Sequence, residues 1–452
     1  MRTKLWQKDQ PLDTRIEAFT VGRDRELDLE LAPYDVLGSL AHTRMLSEVG
    51  LLPADEYDQL AAELRRIYQE AVAGELQIAE GVEDIHSQVE MILTERLGDI
   101  GKKIHSGRSR NDQVLVDLRL FLRAEATDLI REIGTLSGAL LELSEKHKEV
   151  LLPGYTHLQV AMVSSFGLWF GAYGESLIDD LRLWQGVYRI IDQNPLGSAA
   201  GYGSSFPLNR RRTTELLGFE DLAYNVVAAQ MGRGKTELNL SYALAATAQT
   251  LGKLAMDVCL YNSQNFGFLK LPDTLTTGSS IMPHKKNPDV FELIRGRCNL
   301  LQSLPAQISQ LQGNLPSGYH RDFQLLKEVI FPALRQLKDV LAITQYALTH
   351  LEVRTDLLKE EKYRLLYSVE AVNAEVLKGV PFRDAYLLIG RQIEAGAFDP
   401  PTELHHTHEG SLGNLCTGDI QAKLAGVLAG FDFERWEVAV ARLASPPTAA
   451  AS

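Results

Sequence analysis

The sequence predicts a mainly α-helical protein whose centre is a bundle of long helices. After Ser109, leucine and isoleucine recur every three or four residues, with one gap, until Pro153, which is the spacing of one apolar helix face. A helix of about 40 residues would span about 60 Å, a length typical of a long bundle. Strand signals are few. Helical patterns that are apolar on several sides, as in buried helices, return at residues 158–191, 238–268, 290–311 and 325–351.

The change in texture along the chain predicts three domains. Residues 1–107 mix short helical patterns with turns, residues 108–353 carry the long-helix bundle, and residues 354–452 return to short segments. In the first domain we expect a helix at 85–97 that stops at Gly98, because glycine commonly ends helices. We expect a short extended piece at 102–106. The apolar faces of the long helices suit burial by other subunits.

Composition and charge exclude several classes of protein. The chain has 452 residues, 45% hydrophobic and 23% charged, and a net charge of -13, which argues against binding to nucleic acid or to an anionic membrane. Residues 1–8 lack the apolar core of a signal peptide, and no apolar run is long enough to span a bilayer. The three widely spaced cysteines indicate a reducing compartment without a disulfide framework or a zinc site. We therefore expect a cytoplasmic protein.

The most informative stretch is the polar loop at residues 278–289. It begins with one glycine and two serines and continues with two lysines. Asn287 is a candidate N-cap and Pro288 suits the first helical position. The pattern therefore predicts hydroxyl and ammonium groups at the positive end of a helix, where an anion would be stabilised. The alternative is a basic surface loop before an ordinary helix.

Two further polar segments show capping-box spacing. Ser109 and Asp112 predict the start of the first long helix, with Arg110 beside it. Thr156 and Gln159 have the same spacing, and predict that His157 lies in the first turn of a second helix, where the helix dipole favours the neutral imidazole.

Plain caps would explain each segment singly. Three such segments at the starts of long helices make a site for a dicarboxylate plausible.

Three other motifs carry less weight. Gly234-Lys235-Thr236 lacks the first glycine and the preceding strand of a phosphate-binding loop. Residues 405–408 contain three histidines, but no spaced carboxylate or cysteine partner is evident, so a surface loop is favoured over a metal site. Residues 201–203 lack the strand–turn–helix context of a dinucleotide fingerprint.

The polar loop also carries a family resemblance. Residues 278–283, followed by Lys285, Asn287 and Pro288, are similar to the signature of the fumarase/aspartase superfamily. The likeness covers nearly the whole chain. Four further segments are similar to one branch of the superfamily, the branch that cleaves argininosuccinate, and they are residues 106–114, 153–159, 194–198 and 381–383.

The resemblance implies a homotetramer around a central long-helix bundle. It also implies cleavage of argininosuccinate to arginine and fumarate, by general acid–base catalysis and in arginine biosynthesis, without cofactor or metal. Ser279 would take the proton from the carbon next to a carboxylate, and Lys285 and Asn287 would stabilise the doubly charged aci-carboxylate. His157, paired with Glu292, would act as the acid or as a relay for the leaving guanidinium.

The same resemblance implies which residues hold the substrate. Thr20 stands where the superfamily branch usually has serine, and His86 lies in the matching segment of the first domain. Arg321 stands in place of the usual lysine, and His284 in place of the usual glutamine. The other substrate-binding residues would be Arg110, Asn111, Thr156, Tyr319 and Gln324.

Physical chemistry agrees with these roles. The carbon acid is very weak, so its anion must be stabilised as it forms. A serine hydroxyl becomes a useful base only beside cations and backbone N–H groups.

Two other readings stay open at this point. A sister activity, such as that of adenylosuccinate lyase, aspartase or fumarase, would use the same Ser279 loop, although residues 108–114 fit it less well. A catalytically silent binding or structural protein could be built on the same scaffold. The presence of Ser279, Lys285, His157 and Glu292 together argues against the silent protein.

Overall fold

The computed structural model describes residues 13–401 and 403–446, so residues 1–8, which carried the expectation about a signal peptide, lie outside it. The helices of the described residues are α1 (Thr14–Val21), α2 (Asp24–Glu48), α3 (Ala54–Val72), α4 (Ile85–Leu97), α5 (Asp99–Lys102), α6 (Arg110–Lys146), α7 (Phe166–Ile191), α8 (Arg210–Leu216), α9 (Val226–Tyr261), α10 (Asp289–Leu301), α11 (Leu304–Leu311), α12 (Leu325–Thr349), α13 (Ser368–Leu377), α14 (Phe382–Glu394), α15 (Thr417–Leu428) and α16 (Phe433–Ala444).

Short strands pair two by two. Antiparallel pairs join β1 to β2, β5 to β8 and β6 to β7, and a parallel pair joins β3 to β4. The strands are β1 (Leu151–Thr156), β2 (Gln159–Ser165), β3 (Gln193–Asn194), β4 (Asp221–Leu222), β5 (Leu269–Lys270), β6 (Thr277–Gly278), β7 (Lys286–Asn287) and β8 (Glu352–Val353). The prediction of a mainly helical fold with long helices is confirmed.

Helix α6 is the long helix that the apolar period predicted. The predicted capping box forms, because the Ser109 N–H donates to Asp112 at 2.8 Å and the Asn111 N–H donates to the Ser109 hydroxyl at 3.3 Å. The helix runs for 37 residues, which corresponds to about 55 Å. It ends at Lys146, before the predicted limit at Pro153, because the chain then enters β1.

Neighbouring bundle helices run antiparallel and are joined by buried and partly buried hydrogen bonds. Asp257 on α9 accepts hydrogen bonds from Trp169 at 3.0 Å and from Tyr173 at 2.6 Å, both near the start of α7. Near the other end of α7, Trp184 donates to Thr247 at 3.1 Å. The end of α9 therefore lies beside the start of α7, at the end of the bundle where α6 finishes.

We call the end of the bundle that holds the start of α6 the proximal end, and the end where α6 finishes the distal end. Helix α9 bends at Arg233 and Gly234, where φ and ψ leave the helical region. At that bend Arg233 donates to the carbonyl of Phe323 at 2.8 Å, which places residues 321–324 at the proximal end.

Two predicted elements were wrong. Residues 151–165 form a hairpin of β1 and β2, so α7 begins at Phe166 and not near Leu158. Residues 102–106, predicted to be extended, contain a 3-10 turn at Lys103–His105. The helical pattern at 290–311 is divided into α10 and α11, and the predicted 238–268 helix begins earlier, at Val226.

The buried apolar residues of the described chain form three clusters. The largest fills the bundle, the second joins α2, α3 and α4 to the first half of α6, and a small third cluster lies between α13 and α14. Leu424 on α15 belongs to the bundle cluster and Leu443 on α16 to the second cluster. The domain limits at 107/108 and 353/354 stay a prediction.

No helix among residues 13–401 and 403–446 has both the length and the apolar character needed to cross a membrane.

Candidate active site

At the proximal end, the structure brings together several of the predicted substrate-binding residues. The Arg321 guanidinium donates to the carbonyl of Thr20 at 2.9 Å, and the Gln324 amide donates to the same carbonyl at 3.1 Å. Gln324 also donates to the carbonyl of Val21 at 3.0 Å. The last carbonyls of α1 are thus satisfied by a segment some 300 residues later in the chain. Tyr319 lies beside this segment and is partly exposed.

Arg110, the first residue of α6, reaches the start of α4. Its guanidinium contacts the carboxylate of Asp84 and donates to the Ser87 hydroxyl at 2.6 Å. Asp84 is the N-cap of α4 and accepts the Ser87 N–H at 2.8 Å. Burial alone raises the pKa of Asp84, but His86 and Arg110 together hold it below its ordinary value. The half-buried Asn111 follows directly.

His86 lies beneath this surface, in the interior. Its Nδ1 is 2.7 Å from an Asp35 carboxylate oxygen and 3.6 Å from an Asp117 oxygen, and all three side chains are buried. Burial by itself lowers the pKa of His86, but Asp35 and Asp117 raise it to about 10. The resulting imidazolium ties α4 to α2 and α6. His86 therefore supports the surface that carries Arg110 and does not itself line it.

The same three residues have the composition of a metal-ligand set. The Nδ1 atom that would bind a metal ion is already hydrogen-bonded to Asp35. A ligating histidine must be neutral, whereas this one is held protonated by two carboxylates. The arrangement fits a buried ion pair better than a metal centre.

Replacing His86 with glutamine is expected to lower the free energy of unfolding by about 3–5 kcal/mol, because it leaves the buried Asp35 carboxylate without its cation. Since the folded pKa is about 10 and the ordinary value is 6.5, the stabilisation is fully present below about pH 6.5. It is lost as the pH rises through about 10. The measurement is chemical denaturation at several pH values.

The matched control for this prediction is His405→Gln, which changes an exposed histidine. The difference between wild type and His86→Gln should shrink from pH 7 to pH 10, while His405→Gln follows wild type throughout. A difference that is small at pH 7, or that does not depend on pH, would contradict the assignment of a charged His86.

At the distal end, the predicted helix start at residues 156–159 is a hairpin turn. Thr156 pairs with Gln159 across the two strands, and His157 and Leu158 form the two-residue tip. Both tip residues have positive φ, 53° and 57°, as a type I′ turn requires. The prediction that His157 lies in the first turn of a helix was wrong, so the helix dipole does not act on it. Thr156 and His157 are exposed at the tip.

Ser279 was predicted in a loop that leads directly into a helix, but a short strand lies between that loop and the helix. Strands β6 and β7 close residues 279–285 into a loop, and α10 begins only at Asp289, with Pro288 in the N-cap position that was predicted for Asn287. Asn287 instead lies in β7, 3.4 Å from the Thr277 hydroxyl.

The Ser279 loop has its own source of backbone donors. The Ser279 hydroxyl oxygen accepts the N–H groups of Met282 at 3.2 Å and Ile281 at 3.4 Å. Lys285 is exposed, and its ammonium group has no partner among the residues that the structure describes. An oxygen held by two N–H groups beside a free cation is suited to carry negative charge.

The loop lies at the distal end. Helix α10 packs antiparallel to α9. Arg295 is 3.1 Å from the sulfur of Met256, and Gly252, one turn earlier in α9, lies against Cys298, one turn later in α10, so the start of α10 lies beside the end of α9. Glu292 is exposed on the first turn of α10. Within the described part of one chain, no hydrogen bond or ion pair joins Glu292 to His157.

One chain therefore does not assemble the whole predicted site. Helix α6 separates Arg110 from Lys146 by about 55 Å, whereas the eleven residues from Lys146 to His157 span at most about 40 Å when fully extended. Arg110, Asn111, Arg321 and Gln324 lie at one end. The hairpin tip and the Ser279 loop lie at the other.

Comparisons with known proteins identify the family to which this chain is related. Residues 7–302 match the sequence profile of a family described as lyase. The argininosuccinate lyase of Parabacteroides distasonis is 60% identical over 443 residues, which are 98% of this chain and 99% of that protein.

The chain belongs to the argininosuccinate lyase family. The argininosuccinate lyase of Bacteroides thetaiotaomicron is 59% identical and covers 96% of this chain and 97% of its own length. The argininosuccinate lyase of Stenotrophomonas maltophilia is 41% identical, and the match covers 85% of this chain and 90% of that protein. The resemblance to the fumarase/aspartase superfamily is thereby confirmed.

Solved structures of low sequence identity share the fold of this argininosuccinate lyase family member. EDDS lyase in complex with formate has a TM-score of 0.71 at 21% identity and covers 96% of this chain and 93% of its own. The fumarate lyase:delta crystallin from Brucella melitensis, bound to cobalt, has a TM-score of 0.71 at 18% identity, and the match covers 98% of this chain and 99% of that chain.

Sequence reasoning about this argininosuccinate lyase family member missed the buried cation Lys327. Its ammonium group lies 2.7 Å from Asp24 and also contacts Asp28. Burial lowers the pKa of Lys327, but the two carboxylates outweigh it and raise the value. The available signal was a lysine one helical turn after Gln324, in a run at residues 325–331 that is apolar apart from Lys327 and Glu328. Glu83 and Asp84, which contact Arg110, were also missed.

Proposed function

We propose that the protein is an enzyme that cleaves argininosuccinate to arginine and fumarate by β-elimination, as part of arginine biosynthesis. The single observation that carries the proposal is the 60% identity to a curated argininosuccinate lyase over 98% of the chain. The charge of -13 supports an enzyme that acts on a small molecule and does not bind nucleic acid or membrane. The three widely spaced cysteines support a cytoplasmic location.

Ser279 is the base in this proposal. Its oxygen takes the proton from the carbon next to a substrate carboxylate, and the electron pair of that C–H bond becomes part of the new double bond. An alkoxide at this position is stabilised by the N–H groups of Ile281 and Met282. The backbone of the loop itself thus supplies what the sequence analysis had assigned to a helix N-terminus.

Lys285 and Asn287 stabilise the aci-carboxylate that forms when the proton leaves. Lys285 is suited to this because its ammonium group is not engaged by another described residue, unlike the neighbouring Lys286, which pairs with Asp273. The cation and the Asn287 amide neutralise charge that is absent from the bound substrate, so they lower the barrier more than they tighten binding.

His157 completes the elimination as acid or relay. The C–N bond breaks and its electron pair goes to the guanidinium nitrogen, which leaves as part of a neutral guanidine. A proton delivered through His157 converts that guanidine into the guanidinium group of arginine. Glu292 of another chain pairs with His157 in this proposal, because no hydrogen bond or ion pair joins the two residues within the described part of one chain. Fumarate and arginine are then free to leave.

The substrate carboxylates bind at the proximal surface, together with Thr156 from another chain. Arg321 uses only Nη2 for its contacts with Thr20 and Glu83, so its Nη1 and Nε, which have no partner in the described chain, are free to donate. Asn111 and Tyr319 supply further polar groups. Thr20 donates its hydroxyl to the carbonyl of Ile16 at 2.8 Å, so its oxygen can accept from a substrate N–H group but does not donate to a carboxylate in this conformation.

A homotetramer is the assembly that brings the two ends together. Consecutive antiparallel bundle helices allow the distal end of one chain to meet the proximal end of another. Exposed apolar side chains on the bundle support burial by partner copies. They are Tyr242, Met256, Leu293 and Leu300.

The proposed function is tested by incubating the protein separately with argininosuccinate, adenylosuccinate, aspartate and malate and measuring fumarate by its ultraviolet absorbance. Fumarate is expected from argininosuccinate at a rate far above that from the other three. Fumarate from a different substrate would assign a sister activity. No fumarate from any of them would support a silent scaffold.

A further inference from the structure

Glu83 lies between two arginines that belong to distant parts of the chain. One of its carboxylate oxygens is 3.8 Å from Nη1 of Arg110, and the other is 3.5 Å from Nη2 of Arg321. Its side chain is only 20% exposed, whereas that of Arg321 is 52% exposed. One partly buried carboxylate therefore links the start of α6 to the 3-10 turn at Arg321–Gln324.

We propose that Glu83 is a positioning residue that holds the Arg110 and Arg321 guanidinium groups at the spacing needed to receive a substrate carboxylate. The inference rests on the proposed function. Glu83 does not touch the reacting atoms in it. It acts through the two arginines, which carry the same charge and would otherwise repel each other.

The neighbouring carboxylate cannot take over this task. Asp84 caps α4 by accepting from the N–H and the hydroxyl of Ser87, and it also contacts Arg110. With those contacts made, Asp84 fixes Arg110 but is tied to the start of α4. Among the described residues, the Glu83 carboxylate is the one that lies within ion-pair distance of both Arg110 and Arg321.

Because residue 321 is an arginine, it can contact Glu83 and still bind a substrate carboxylate. Its Nη2 reaches both the Thr20 carbonyl, at 2.9 Å, and the Glu83 carboxylate. Because a guanidinium is a planar fork with five donors, the opposite edge of Arg321 keeps its orientation while it stays free for a ligand. A lysine would place a single rotatable ammonium group there.

The test compares Glu83→Gln with Glu80→Gln. Glu80 is exposed, lies three residues earlier and carries the same charge, so its variant controls for net charge alone. We expect KM for argininosuccinate to rise about 5- to 20-fold in Glu83→Gln while kcat changes less than about 2-fold, since loss of binding that is equal in ground and transition states acts on KM. The KM of Glu83→Asp should lie between those of wild type and Glu83→Gln, because aspartate keeps the charge but has a shorter side chain.

Coupling to Arg321 provides the second readout. The KM increase caused by Glu83→Gln should largely disappear in an Arg321→Gln background, because the two changes remove the same link.

Each other outcome overturns the inference. A lower KM in Glu83→Gln would show that Glu83 competes with the substrate, and an unchanged KM would show that it has no part in binding. Equal KM effects of Glu80→Gln and Glu83→Gln would show that only the net charge matters. Full additivity of the KM effects of Glu83→Gln and Arg321→Gln would show that the two residues act independently. Absence of fumarate with the wild-type protein would overturn the proposed function, and the inference with it.

Discussion

Replacing Ser279 with alanine is expected to lower kcat for argininosuccinate by at least about 10²–10⁴-fold, the range of a general base, while the substrate still binds. The hydroxyl oxygen is held by the N–H groups of Ile281 and Met282, and alanine leaves no atom there to accept the proton. Single-turnover kinetics measure the chemical step, and calorimetry with the variant measures binding.

Ser280→Ala is the matched control, because Ser280 is the exposed neighbour in the same loop. It should retain turnover within a few-fold of wild type. Near-normal turnover in Ser279→Ala would move the role of the base elsewhere, with Ser280 and His157 as the next candidates. Loss of binding together with turnover would show instead that Ser279 holds the loop in place.

Lys285→Met is expected to lower kcat by about 10²–10³-fold, comparable to the loss of one group that stabilises an oxyanion. Methionine keeps most of the length of the side chain but removes the charge that would face the aci-carboxylate. KM should change far less than kcat, because the second charge on that carboxylate exists only after the proton has left.

The adjacent lysine provides the control. Lys286 pairs with the exposed Asp273, so Lys286→Met removes the same charge from the same loop without removing the proposed stabilising group. Equal losses in both variants would mean that the loop acts through its general positive potential. A larger effect of Lys286→Met would contradict the assignment of Lys285.

The sequence predicted those elements whose stability is decided locally. The apolar period of α6 and its Ser109–Asp112 cap are properties of neighbouring residues, and both are present in the structure. The same holds for α4, which ends at Gly98 with φ 59°. Helix period and capping chemistry suffice for such elements because they do not depend on distant partners.

The distal segments could not be predicted in this way, because spacing alone does not distinguish a cap from a turn. Thr156 and Gln159 are three residues apart in a capping box and also face each other across a two-residue hairpin turn. Asn287 was predicted as the N-cap from its residue type. In the structure its strand pairs with Thr277 and Gly278, and the helix therefore begins only at Asp289.

Ion pairs between residues that are distant in the sequence could not be predicted either. Nothing near Glu83 in the chain indicates that it faces Arg321, and the burial of His86 between two carboxylates depends on how α2, α4 and α6 pack. The roles of the site residues stay a proposal.

The central claim is that His157 and Ser279 of one site come from different chains. It follows from the proposed pairing of His157 with Glu292 of another chain, because Glu292 lies on α10, which directly follows the Ser279 loop. It is tested most directly by mixing two inactive variants, His157→Asn and Ser279→Ala, unfolding them and letting them reassemble together. With random assortment, about a quarter of the sites in a symmetric oligomer should collect no lesion. We predict that activity returns to about that fraction of wild type, with wild-type KM in the restored sites. Hybrids verified by mass spectrometry that stay as inactive as their parents would contradict the shared site.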